Sequence, residues 1–180
     1  AVIEKPFRDL TIRDITDAAG VNRATFYLHY EDKYDLLGDC GQVLFQEIRD
    51  AIQVASIFDP NEIGENAIEK HKLRMLIVLQ HFRTHVAFYK AMLRDDGDPL
   101  FHNLFRNSAS NWIKQQIKNV FKIRNITVDE DLIDMMVRFQ SAGNFDVISW
   151  WLENDMRIPI DLMAERLALV TIPPLVKMLT

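Results

Sequence analysis

Apolar residues recur three and four positions apart along most of the chain, the period of an α-helix and not the two-residue alternation of a half-buried strand. Ile12, Ile15, Ala18 and Ala19 form a first short apolar face. Thr11 precedes it as an N-cap, with Asp14 three residues on in a weak form of the capping box, and Gly20 follows where a helix stops. Asn22 opens a second short helix, in which Phe26 and Tyr30 repeat at i, i+4. Glu31-Asp32 is the next break, and Asp32 caps a third helix with apolar positions Leu36, Leu37, Cys40, Leu44 and Ile48, running toward residue 55.

The stretch FDPNEIGEN (58–66) interrupts the pattern with Pro60 and Gly64. Long helices are then predicted over 65–94, 99–123 and 129–155. A last one starts near Pro159, a suitable first helical residue, runs past Leu167, and is expected to kink or end at Pro173-Pro174. RDDGDP (94–99), IRNIT (123–127) and NDMRIP (154–159) are the connections. No repeat or low-complexity segment is evident.

Composition supports an all-α fold. The 180 residues are 48% hydrophobic, enough for a sizeable core, and only six Gly and six Pro are present, too few for a turn-rich sheet protein. The single cysteine, Cys40, excludes an internal disulfide framework, and no apolar run approaches a membrane span of roughly 20 residues. A reducing, cytoplasmic location and no membrane partner are therefore expected. Charge complicates a nucleic-acid reading. The chain carries −5 overall, and residues 1–50 hold six Lys or Arg against ten acids, or −4. A basic-patch argument fails, so any DNA-binding reading must rest on local geometry.

That geometry is in AAGVNRATFYLHYEDK (18–33). Two short helices around a Gly turn fit a helix-turn-helix, in which the second helix enters the major groove while the first crosses the backbone. Asn22 and Arg23 stand at the start of the second helix, where Arg can pair with guanine and Asn with adenine. Thr25, Tyr27 and His29 carry groups that donate to phosphate. Lys33 and Thr11 stand at helix starts, where backbone N–H groups and the helix dipole favour anions. Spacing alone fits equally well a short helix pair whose Ala18, Ala19, Val21, Phe26 and Tyr30 are core and whose polar residues are ordinary surface.

LTIRDITDAAGVNRATFYLHYEDKYDLL (10–37) resembles the N-terminal DNA-binding domain of TetR-type (TetR/AcrR) transcriptional regulators. The resemblance is carried in one register by Thr11, Ile15, Ala19-Gly20-Val21, Thr25-Phe26-Tyr27, His29-Tyr30, Lys33 and Leu36-Leu37. It implies that Thr11, Thr25, Tyr27, His29 and Lys33 hold phosphates and that Asn22, Arg23 and Ala24 face the bases. The chain departs from the family pattern at Asn22, where Ser is frequent, at Ala24, where Gly is frequent, and at Leu28, where a long polar residue is frequent. Leu28 can still meet a thymine methyl. Of the segment that holds the family's first helix, only Ala1–Lys5 remains. More loosely, FYKAML (88–93) and ISWWLEND (148–155) resemble the C-terminal domains of one subgroup.

The resemblance implies an all-α chain: a three-helix helix-turn-helix head over 1–48, and a helical effector-binding and dimerisation domain over 49–180. The expected function is a ligand-responsive homodimeric repressor, released from its double-stranded DNA operator by a small molecule. The alternative is a protein–protein coactivator on the same fold that has lost DNA binding. Trp150, Trp151, Leu162, Met163 and Leu167 are candidates for the homodimer interface. Met75, Leu79, Phe82, Phe88, Met92, Phe101, Phe105, Trp112 and Phe139 are candidates to line an effector cavity, or simply to fill the core. His81-x-x-x-His85 puts two imidazoles on one helical face, with His71 and His102 elsewhere. Phe82 stands where H-E-x-x-H would have its Glu, so no metal or other cofactor is expected. No Ser-His-Asp, Cys-His or Gly-rich phosphate loop supports catalysis.

Overall fold

The computed structural model of the chain describes residues 5–55, 65–93 and 97–179, with the side chains of residue 65 and of 172–179 left out. A 3₁₀ turn over Phe7–Asp9 is followed by α1 (Ile12–Ala19), α2 (Arg23–Tyr27), α3 (Lys33–Val54), α4 (Glu65–Thr84), α5 (Val86–Leu93), α6 (Pro99–Ile123), α7 (Glu130–Glu153) and α8 (Ile160–Leu179). There is no strand among the described residues. None of the helices described is long and apolar enough to cross a membrane.

Side-chain caps set the helix starts. Thr11, Asn22, Asp32, Asp98 and Asp129 each accept a hydrogen bond from a backbone N–H of the first turn. At Thr11 the capping box is complete. Several helix ends share another device. Gly20 (φ 68°), Asn125 (φ 52°) and Asp155 (φ 54°) take the left-handed conformation. The N–H of the residue after each bonds back five positions, Val21 to Thr16, Ile126 to Phe121 and Met156 to Trp151.

The long helices pack in pairs, α4 along α8 and α6 along α7, with α3 lying against α6 and α4. One core runs from the head into the rest of the chain, from Phe7, Leu10 and Leu37 through Phe45, Leu79, Phe82, Tyr89, Met92, Phe101 and Phe105 to Trp151 and Leu167. A smaller cluster of Ile117, Phe121, Ile133 and Val137 closes the far end of α6 and α7. Because α3 crosses residue 48 without a break, head and remainder share a helix and are not joined by a linker. Within the core, the Tyr89 hydroxyl lies 2.9 Å from His81 Nε2. Burial and then the neighbouring His85 lower the His81 pKa to about 4.

The sequence pattern is corrected at three places. The helix expected over 65–94 is divided at His85. Just before the bend the Thr84 hydroxyl donates back to the Gln80 carbonyl at 2.9 Å, a contact that bends helices. Of the kink or end expected at Pro173-Pro174, the end is not seen, and α8 runs on to Leu179. The two carbonyls that lose an N–H partner there belong to Leu169 and Val170, exposed residues whose carbonyls water can reach. In α1, Ala18 and Ala19 are exposed. Its buried position is Thr16, which satisfies its hydroxyl on the Arg13 carbonyl. The expected break at 58–66 lies largely outside the described residues.

Candidate nucleic-acid interface

The turn between α1 and α2 is built from Gly20 and Asn22. The left-handed backbone at Gly20 ends α1, and two residues later the Asn22 side-chain oxygen accepts from the Thr25 N–H at 2.8 Å and from the Thr25 hydroxyl at 3.1 Å. Phe26 anchors α2, buried and packed against the Tyr30 ring at 5.6 Å. Tyr30 in turn donates its hydroxyl to Asp39 on α3 at 3.0 Å. With Phe26 pointing inward, Arg23, Ala24, Tyr27 and Leu28 point outward at i, i+1, i+4 and i+5, a single exposed face. The structure thus brings together Arg23, Ala24, Tyr27 and Leu28, with Asn22 and His29 exposed at the two ends.

Charge on this surface is sorted by pairing. In and before α1, Arg13 pairs with Asp17 at 3.5 Å, Lys5 with Asp14 at 2.7 Å and Arg8 with Asp9 at 3.9 Å. The Lys5 hydrogen bond, followed by those from Thr11, holds the Asp14 carboxyl far below the usual carboxylate range. No carboxylate partner is recorded for Arg23 among the described residues. Its guanidinium lies 6.0 Å from the centre of the Tyr27 ring. At the tip of the face Leu28 is 80% exposed, an apolar group held out toward solvent.

Other expected phosphate holders make side-chain hydrogen bonds within the chain. The Thr11 hydroxyl donates to the Asp14 carboxylate at 2.6 Å, and the Thr25 hydroxyl to Asn22, so both serve their helix starts. The Lys33 side chain is engaged within the chain. Its ammonium donates to the backbone carbonyls of Phe7 (3.0 Å), Arg8 (2.6 Å) and Leu10 (3.0 Å), using all three of its N–H bonds. It also lies 5.1 Å from the Phe7 ring centre and 5.3 Å from that of Tyr34. Lys33 fastens the segment before α1 onto α3, and its side chain has no N–H left for a phosphate.

The candidates to line an effector cavity lie mostly in the core. Met75, Leu79, Phe82, Met92, Phe101 and Phe105 are buried core, and Phe88 and Trp112 pack against it. The Phe82 and Tyr89 rings stack at 4.1 Å, and those of Phe101 and Phe105 lie nearly parallel at 5.8 Å. Phe139 is 78% exposed and lines nothing internal. A groove of about 560 Å³ does open between α3 and α6, lined by Gln46, Arg49, Asp50, Ile52, Gln53, Trp112 and Gln116.

Among the interface candidates, Trp151, Met163 and Leu167 are buried in the chain's own core, and the Trp151 indole donates to the Ile158 carbonyl at 2.9 Å. Trp150 and Leu162 are exposed. Trp150 shares a face of α7 with Leu132, Met135, Phe139 and Val147, all exposed and spaced at helical intervals. Ile133, Val137, Ile148 and Leu152 occupy the opposite, buried face. Sequence reasoning missed this second stripe, whose signal was an α7 apolar on two faces at once.

Residues 73–172 match a family model described as transcriptional regulator C-terminal region, and residues 2–40 match that of bacterial regulatory proteins, tetR family. Over 114 residues, 63% of the chain, there is 31% identity with the uncharacterized HTH-type transcriptional regulator YxbF of Bacillus subtilis (strain 168); the match spans 28% of that protein. The fold is similar to that of a TetR-family transcriptional regulator from Syntrophomonas wolfei str. Goettingen, with a TM-score of 0.73 and 19% identity over 94% of this chain and 86% of the other. It is similar also to the fatty acid degradation regulator FadR from Bacillus halodurans, with a TM-score of 0.70 and 16% identity over 96% and 92%. A third likeness is to the dihydroxyacetone kinase operon activator DhaS, with a TM-score of 0.65 and 15% identity over 98% and 90%.

Proposed function

The chain belongs to the TetR family of DNA-binding transcriptional regulators, and from that premise we propose that it acts as a homodimeric, ligand-responsive repressor. The observation that carries the DNA-reading role is the outward face of α2. It presents Arg23, the one cation on α2, with Ala24, Tyr27 and Leu28, and it stands on a buried Phe26. Arg23 reads a guanine edge, the small Ala24 lets the helix approach closely, and Leu28 meets a thymine methyl. Tyr27 and His29 flank these contacts with phosphate donors, and Asn22, whose side-chain oxygen caps α2, faces the bases with its amide nitrogen.

Two copies are needed, because a five-residue reading helix makes few contacts. The stripe Leu132–Met135–Phe139–Val147–Trp150 on α7 supplies a self-complementary apolar surface, about 27 Å long at 1.5 Å per residue. Paired through it, the heads would meet successive major grooves about 34–36 Å apart. A small molecule acts by binding better to the conformation whose head spacing no longer fits the operator. The groove between α3 and α6 suits this role, because α3 continues into the head and because the Nε–H of Arg49 is buried with no acceptor among the described residues.

Selection of duplexes from a random pool by the purified protein tests the reading. Recovered sites should contain two inverted half-sites about one helical turn apart. A pool that yields no enriched sequence would favour the coactivator alternative.

A further inference from the structure

We propose that Glu47, His81 and His85 form a binding site for a late first-row divalent transition metal such as Zn²⁺. The sequence shows only the His81–His85 pair at i, i+4. The fold adds Glu47 from α3, thirty-four residues upstream of His81. One Glu47 carboxylate oxygen lies 3.2 Å from His85 Nε2 and 3.6 Å from His81 Nδ1, and the three candidate ligand atoms all lie within 4.8 Å of one another. In a tetrahedral site with bonds of about 2.0–2.1 Å the ligand atoms stand about 3.3–3.5 Å apart. Glu47 stands within about 0.1 Å of that spacing from both histidines, and a small side-chain rotation closes the two imidazoles on it.

The surroundings are those of a ligand set. His81 is oriented by its other nitrogen, Nε2, 2.9 Å from the buried Tyr89 hydroxyl. With Nδ1 as the ligand atom, Nε2–H donates to Tyr89, the outer hydrogen bond that fixes tautomer and ring in metal sites. His81 is nearly buried while His85 and Glu47 are partly exposed, so an ion has an entry path and an open position for water. Two imidazoles and one carboxylate select Zn²⁺, Co²⁺, Ni²⁺ or Cu²⁺ over Mg²⁺ and Ca²⁺, which take all-oxygen sets. His85 sits at the bend between α4 and α5, so the ion would bridge that corner to α3, the helix that carries the head. A metal there favours whichever head position keeps Glu47 over the histidine pair, a consequence that rests on the regulator reading above.

Metal binding itself is tested without DNA. Tag-free protein is freed of metal by a chelator, then titrated with Zn²⁺ by calorimetry and with Co²⁺ by visible absorption. The wild type should take up one Zn²⁺ per chain, show the intense bands of four-coordinate Co²⁺, and melt higher with added Zn²⁺. Glu47→Gln and His85→Ala, both at partly exposed positions, should keep their helical circular dichroism. Each should lose at least tenfold in Zn²⁺ affinity and abolish the cobalt bands. His81→Gln provides a third variant. A wild type that binds no Zn²⁺ overturns the proposal. So does a Glu47→Gln/His85→Ala double variant that binds it unchanged, because that binding would belong to His71, His102 or another surface group.

Discussion

The Lys33 ammonium lies 3.0 Å from the Phe7 carbonyl oxygen and 5.1 Å from the centre of the Phe7 ring, so one charge holds both the backbone and the side chain of the segment before α1. Together with its bonds to Arg8 and Leu10, this makes Lys33 a fastener of the head. Lys33→Met keeps the aliphatic stem and removes three charge-assisted hydrogen bonds from a half-buried site. The expected cost is about 2 kcal/mol, or roughly 4–8 °C in melting temperature for a chain of this size. Thermal unfolding checks the loss. The slope of log affinity against log salt should stay unchanged, since no phosphate contact is removed.

Asn22→Ala removes the side-chain cap of a five-residue helix. A cost of about 1 kcal/mol in stability is expected, while Asn22→Ser or Asn22→Asp, also capping residues, should recover most of it. Urea denaturation of the three variants measures the order.

The α7 stripe predicts which tryptophan matters for assembly. Phe139→Glu or Trp150→Glu puts a charge on an exposed apolar face and should give a folded monomer by analytical ultracentrifugation. Trp151→Ala empties a buried site and should instead lower stability by about 3–5 kcal/mol. A Phe139→Glu protein that sediments as a dimer would show that the partner face lies elsewhere.

Acid should destabilise the chain well above the carboxylate range. His71 is buried, and burial first, then Arg74, lower its pKa to about 3. The unfolded chain has an ordinary histidine at about 6.5 and so binds the proton first as pH falls. The contribution of His71 is therefore complete above pH about 6.5, and down to the folded value it declines by about 1.4 kcal/mol per pH unit. His71→Gln, which keeps an acceptor for the Arg74 Nη2 found 3.1 Å from His71 Nδ1, should flatten melting temperature against pH between 7 and 5.

Much of this was legible in the residues. Local rules place the helix starts at Thr11, Asn22 and Asp32 and the stop at Gly20, because caps and left-handed turns depend on neighbours in sequence. The family-like run from Leu10 to Leu37 pointed to the reading helix. What sequence could not show was pairing across elements. The three carbonyls that Lys33 meets are 23–26 residues away, so a lysine at a helix start looks like an open phosphate donor. Trp150 and Trp151 are adjacent and chemically alike, and only the packing of α7 sends one into the core and the other outward. The His81–His85 pair lacks its carboxylate until α3 brings Glu47 alongside.

The central claim is that the exposed face of α2 reads DNA through Arg23. Fluorescence anisotropy of wild type and Arg23→Ala, each on the duplex enriched by selection and on a scrambled duplex, tests it most directly. Loss of a bidentate guanine contact should weaken binding to the enriched duplex by about 1–3 kcal/mol, or five- to more than a hundredfold, and leave the scrambled duplex nearly unaffected. Equal affinity of the two proteins for both duplexes would contradict the account.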